Sequence, residues 1–296
     1  MRALPLGRGL LALLLFPLAA AAHEDVGMLT LLEGQASLLR GAHGYLPVEA
    51  IKLKHADILQ TGGKAFLQLE FDDGGVVELG PDTRLLVDIP GWRGQPPVVG
   101  PHFLLEGWVK LTVPKRANAP AYRLNTPHFD VLIGTGVIVM QMAAAEGSVF
   151  VESGDAAMLE PTGRNVTEVR VGTGRYYARR AGQKSAVAER PSAAFVNGMP
   201  PPFRDTLPAR LAKLKTRQAA PKPGPEFSYE DVAGWLKADR EVRRVLVPQW
   251  RSKALDPDFR AGLVNNLRHH PEWDPILFPE KYKPKEETEA TDSITR

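Results

Sequence analysis

Apolar and polar positions alternate most strictly over Ala65–Asp88. Leu67, Leu69 and Phe71 take turns with Gln68 and Glu70, which predicts an extended strand with one apolar and one polar face. Asp72-Asp73-Gly74-Gly75 breaks the run with turn formers, and Val77 and Leu79 resume it. Gly80-Pro81-Asp82 turns the chain again, and Thr83, Leu85 and Val87 make a third strand. A slip of one residue would turn every apolar side chain toward water, so the register is firmly set. Upstream, strands are predicted within Met28–Arg40, around Glu33-Gly34, and from Leu46 to Gly62. Downstream they are predicted at Phe103–Val113, Tyr122–Thr126, Phe129–Ile133, Val137–Met142, Ser148–Glu152, Ala157–Leu159, Glu168–Val171 and Tyr176–Arg179. Such short strands, punctuated by Gly, predict a mainly β fold, either solenoid-like or a rolled sheet.

The pattern changes after residue 190. Residues 191–227 are rich in Pro and Lys and read as a linker, with a short basic helix at Leu207–Arg217. From 228 to 282 the period becomes helical, which predicts a small α-helical C-terminal appendage. Ser228 with Asp231 three residues on is an N-terminal capping pattern, and Val232, Trp235 and Leu236 share a face. A second helix is predicted at Glu241–Leu246, ending near Pro248. A third opens at Asp256-Pro257 and aligns Phe259, Leu263 and Leu267. The tail, 283–296, is charged and predicted to be disordered. On this reading residues 27–190 form an all-β domain able to fold without the rest.

The first 22 residues carry an address. Arg2 and Arg8 precede an apolar run, and Ala19–Ala22 suits signal cleavage before His23. Leu10–Ala22 is too short to span a membrane, at about 20 Å of helix against roughly 30 Å of hydrocarbon. The expected location is therefore periplasmic or secreted, after cleavage near Ala22, with no transmembrane segment in the mature chain. The chain has no Cys, which excludes disulfides, thiolate chemistry and a lipidated mature N-terminus. Its formal charge of +3 includes Arg2 and Arg8. Without them the balance is close to neutral, and no nucleic-acid partner is expected.

Chemistry is sparse. Asp72-Asp73 has the residue types of a carboxylate pair or a calcium ligand set, but its place between two alternating strands makes it a turn. Gly134-Thr135-Gly136 has Gly where an aspartic protease triplet needs its carboxylate. His269-His270 lacks the i+4 spacing of a helical metal site and reads as a helix end before Pro271. His43, His55, His102 and His128 are scattered, and Asn165-Val166-Thr167 reads as a polar loop. Trp235, Trp250 and Trp273 are candidates for a sugar- or peptide-binding face, with core packing the plainer reading. No G-x-S-x-G elbow is present. No catalytic, cofactor or metal residues are therefore assigned, and no enzyme is expected. The candidate interaction residues are Arg210, Lys213, Lys215 and Arg217, suited to an anionic lipid or cell-wall polymer. A solvated linker is their plainer reading.

Three stretches together resemble the FecR-type periplasmic domain. They are Leu67–Val87 with Gly80-Pro81-Asp82-Thr83, then Asn125-Thr126-Pro127 with Gly134-Thr135, then Val149–Gly154. The similarity covers roughly residues 27–177, with Val137 where the family more often has Phe. It implies an all-β extracytoplasmic domain used for protein–protein signalling in Gram-negative bacteria. Signalling members of that family relay receptor occupancy through an inner-membrane helix to a sigma factor. The chain is read as lacking the cytoplasmic segment and the helix, so the relay role is not carried over. The expected function is a non-catalytic interaction or sensory module for an unidentified envelope protein. The alternative is a glycan-binding or structural protein of the envelope, with peptidoglycan or another anionic polymer as partner.

Overall fold

The computed structural model describes residues 25–89, 99–117, 120–217 and 219–283. The expected signal peptide, the tail beyond residue 283 and most of the Gly/Pro loop after Ile89 lie outside the described residues. Strands run in chain order as β1 (Gly27–Glu33), β2 (Ala36–Arg40), β3 (His43–Leu46), β4 (Lys52–Leu53), β5 (Ile58–Thr61), β6 (Phe66–Glu70), β7 (Val76–Leu79) and β8 (Arg84–Leu86). They continue as β9 (Val99–Val113), β10 (Tyr122–Asn125), β11 (Asp130–Met142), β12 (Glu146–Thr162), β13 (Asn165–Gly172), β14 (Tyr176–Arg180), β15 (Ala186–Ala188) and β16 (Lys222–Pro223).

Three long strands organise this sheet, because each serves two arms. The end of β9 at Val109–Thr112 pairs with β7, while Phe103–Glu106 pairs with β8. Strand β11 pairs with β9 through Gly136–Met142 and with β10 through Val131–Ile133. Strand β12 carries β14 on its first half and β13 on its second. One arm therefore runs β15–β14–β12–β11–β9–β7–β6–β1–β4, and the other β13–β12–β11–β10–β9–β8–β5–β2–β3–β16. The arms enclose one core, in which Leu29, Leu69 and Leu79 of the first meet Leu38, Leu59 and Leu85 of the second. The sheet is folded over yet stays open at its edges, and the mainly β expectation holds in its rolled form.

The bends sit where the sequence resembled the FecR pattern. Gly136 pairs with Gly154 across β11 and β12, with φ of 128° and 79°. A Cβ on Gly136 would meet Ser153 O at 2.1 Å, and one on Gly154 would meet Thr135 O at 2.2 Å. Only glycine fits this backbone approach. The strands predicted separately at Phe129–Ile133 and Val137–Met142 are thus one bent strand, as are those at Ser148–Glu152 and Ala157–Leu159.

The outer faces of both arms are covered by the C-terminal third. Helix α1 (Ala193–Gly198), a 3₁₀ turn at Pro201–Arg204 and helix α2 (Leu211–Leu214) form a strap over the first arm. Phe195 and Phe203 pack there on Phe66, Trp108, Val139 and Tyr176. Residues 219–223 then follow the sheet edge, bridging Ala219 to Ile51 and pairing β16 with β3. Helices α3 (Tyr229–Leu236), α4 (Arg240–Trp250), α5 (Pro257–Asn265) and α6 (Asp274–Leu277) close over the second arm. Their Val232, Trp235 and Leu246 share a cluster with Leu39, Ile58, Leu86 and Phe103 of the sheet.

Residues 191–227 are therefore a packed strap and an edge strand rather than a linker through solvent. The helix expected over Leu207–Arg217 shortens to α2, since the residue before Pro208 is disfavoured in a helix. Helix α4 also runs past Pro248, which costs one hydrogen bond in its last turn while Trp250, 1% exposed, stays anchored in the core.

Candidate interaction surfaces

The alternation of β6 and β7 predicts a solvated polar face, and the strap buries it. Gln68, Glu70, Glu78 and Lys110 are each less than 5% exposed. Cross-strand pairing sets Gln68 beside Glu78 and Glu78 beside Lys110. The Glu70 carboxylate accepts hydrogen bonds from Thr30 Oγ1 (2.7 Å), Gln68 Nε2 (2.8 Å) and the backbone N–H groups of Arg210 (2.7 Å) and Leu211 (3.0 Å). It thereby satisfies the first turn of α2, whose own N-terminal residue offers no capping side chain. Lys110 Nζ donates to Phe203 O (2.6 Å) and Asp205 O (3.1 Å) and lies 3.3 Å from Glu152. Burial pushes the Glu78 carboxyl up to about 7; Lys110 opposes the shift and Glu152 adds to it. Glu70 and Lys110 hold the strap to the sheet, while Glu78 lies buried between Gln68 and Lys110.

The four candidate basic residues do not act together. Arg210 grips Glu49 with both terminal nitrogens, at 3.0 and 3.3 Å. Lys215 lies 2.7 Å from Asp72. Lys213 and Arg217 are exposed. The cleft of about 310 Å³ beside this segment is lined by Asp25, Glu70 and Asp72 as well as Lys52 and Lys215. Carboxylates match or outnumber ammonium groups there, a poor lining for a polyanion.

The Asp72–Gly75 turn does more than reverse the chain. Asp73 Oδ1 accepts from Gly75 N (3.0 Å) and from the Tyr122 hydroxyl, and Oδ2 pairs with Arg116 at 2.5 Å. The Arg116 guanidinium also sits 4.8 Å from the Tyr122 ring centre. Asp73 therefore ties the turn to β10, 49 positions away.

The structure also assembles a histidine pair that the sequence left scattered. His55 pairs with the Asp88 carboxylate, and the Asp88 backbone N–H donates to His102 Nδ1 at 3.0 Å. Burial holds His102 down to about 4, with Asp73 pulling weakly the other way. Accepting at Nδ1 fits the neutral ring. His43 and His128 stand apart, against Glu226 and Ala143 O.

His270 ends a 3₁₀ turn, is fully buried and meets the Tyr229 hydroxyl at 3.1 Å, while His269 is exposed. Trp235, Trp250 and Trp273 are all core residues, at most 1% exposed. Among the described residues no three His, Asp or Glu side chains are grouped to hold a metal, and no helix is long and apolar enough to cross a membrane. A cleft of about 570 Å³ between the strap and the first arm is lined by Trp108, Met142, Met199, Glu106 and Arg204. Glu106 is already paired with Arg84 at 3.0 Å.

The strand expected at Glu168–Val171 begins three residues earlier than its pattern. Asn165-Val166-Thr167 opens strand β13 rather than forming a loop, and residues 163–168 are exposed throughout. The alternation stops at Val169, because Val169 and Val171 turn inward while Asn165 and Thr167 on the same face are polar and exposed.

No family model matches the chain, and no curated protein is a match. Among solved structures it is similar to two crystal structures, each of a "putative anti-sigma factor" from Parabacteroides distasonis. The TM-scores are 0.39 and 0.38, each at 14% identity. The alignments cover 48% and 47% of this chain and 64% and 62% of those chains. The chain thus spans less than two thirds of the structures it matches. No FecR domain is assigned by these comparisons.

Proposed function

We propose that the chain is a non-catalytic module of the Gram-negative cell envelope that works by binding another envelope protein, in a sensory or regulatory role. The observation that carries the proposal is how its charged side chains are spent. Glu70, Lys110 and Arg210 clamp the strap, and Asp73 and Arg116 lock a turn. Among the described residues none converges on an open cavity with a nucleophile and a base, as a hydrolytic site would require. Export rests on the leader-like pattern of residues 1–22. The protein partner is preferred to an anionic polymer because Arg210 and Lys215 are already paired with carboxylates. The name given to the structural neighbours agrees coarsely with this reading and bears no weight in it.

The test is expression of the tagged chain in a Gram-negative host, followed by fractionation, in-cell crosslinking and mass spectrometry. The expected result is a mature N-terminus near His23 in the periplasmic fraction and a reproducible crosslink to one envelope protein. Retention on purified peptidoglycan sacculi without a protein crosslink would favour the glycan-binding alternative. An uncleaved Met1 in the cytoplasm would refute the assigned location.

A further inference from the structure

Strands at the ends of the two arms expose unpaired backbone groups, and most are blunted. Among the described residues β4 and β16 have two residues each, β16 includes Pro223, and β15 has three. Short edges and proline are ordinary protections against edge-to-edge pairing. Strand β13 has neither. It runs eight residues without proline, about 26 Å, and among the described residues pairs only with β12. Its one defence is charge, and that charge has both signs. Glu168 and Arg170 point to the same face, 2.7 Å apart, with side chains 45% and 85% exposed.

We infer that β13 is a self-association edge, and that its occupant is β13 of a second copy of this chain, antiparallel about a two-fold axis at Val169. This goes beyond the envelope reading and does not depend on it. A single-sign edge would repel its own copy. Here the two-fold sets Glu168 opposite the partner's Arg170 and Arg170 opposite the partner's Glu168, so four charges alternate across the seam. On the other face Val169 meets the partner's Val169 beside the buried Val171, which extends the apolar inner layer. The pairing keeps like-numbered parity, so the outward N–H and C=O groups of one strand meet those of the other.

Charge reversal tests the pairing on the full purified chain by sedimentation velocity, from low to high micromolar concentration. Wild type is expected to dimerise as concentration rises. Glu168→Arg gives an edge with two cations and Arg170→Glu one with two anions, so each variant alone should dimerise about tenfold more weakly or worse. Mixing the two in equal amounts sets unlike charges opposite again and should restore the dimer, with added salt reducing the effect. Both side chains are exposed, and a melting curve of each variant confirms that folding is intact. A wild type monomeric throughout, variants that dimerise as well as wild type, or a mixture that stays monomeric would each overturn the inference. None of these results touches the crosslink to an envelope partner, so the two proposals fail separately.

Discussion

Glu78 shows how far a residue's role here depends on what covers it. Its carboxyl lies under the strap, beside Lys110 and near Glu152, and burial lifts it from 4.5 to about 7. The fold therefore favours its protonated form. That contribution is complete below about 4.5 and fades as pH rises through about 7. His102 acts in the opposite sense. Its folded value falls from 6.5 to about 4, so its contribution is complete above 6.5 and is lost as pH drops through 4. Between these limits the two slopes oppose each other in wild type. Glu78→Gln removes one slope and should expose the other. Urea titrations should then show stability climbing with pH from 4 to 6.5 more steeply than in wild type. At pH 8 the variant should be more stable by about 1–3 kcal/mol. Parallel curves for the two proteins would mean that Glu78 ionises freely in the folded chain. The alternation of β6 and β7 was legible in the sequence, but the burial of their polar face was not. Glu70 meets its covering N–H groups 140 and 141 positions later, and no local pattern carries that information.

At the scale of elements, the local signals read well. Ser228 and Asp231 form the reciprocal capping box that their spacing predicts, and the Asp256 side chain accepts from the N–H groups of Asp258 and Phe259. The long bent strands read less well, because glycines at their middles look like strand ends in sequence. Gly134 and Gly136 break the alternation, yet the ladder to β12 resumes after an irregular step. That difference is measurable. Gly154→Ala places a Cβ against Thr135 O in a left-handed backbone conformation, while Gly163, at φ 62°, has open space around it. Gly163→Ala should cost about 1–2 kcal/mol, the penalty for the backbone alone. Gly154→Ala should cost about 3 kcal/mol or more, since β11 and β12 must also separate at the bend. Equal losses in thermal or urea melts would show that the bend relaxes freely and that β12 does not depend on it.

At the scale of the whole molecule, the chain's own C-terminal third finishes the β core. Composition suggested otherwise, since prolines at 200–202, 208 and 221–225 look like spacers. Proline also suits a chain that crosses a sheet face in extended form, with few backbone bonds to give. The apolar residues that decide between these readings, Phe195, Leu207 and Phe203, are too sparse to register as a periodic element. Residues 27–190 alone would uncover Phe66, Trp108, Val139 and Tyr176 on one face and Leu39, Ile58, Leu86 and Phe103 on the other. At about 1.5–3 kcal/mol for each large side chain returned to water, the loss rivals the roughly 5–15 kcal/mol that holds a whole domain folded. The strap's polar clamp would go as well, leaving Glu70 without two donors and Lys110 without two acceptors. The fragment is therefore expected to be insoluble, or soluble with strong binding of a hydrophobic dye and no cooperative melt. The full chain should melt in one transition, because each outer layer shares side-chain clusters with the sheet it covers. A fragment of 27–190 that melts cooperatively without binding dye would show that the core between the two arms is sufficient, and that strap and helices are additions to a finished domain.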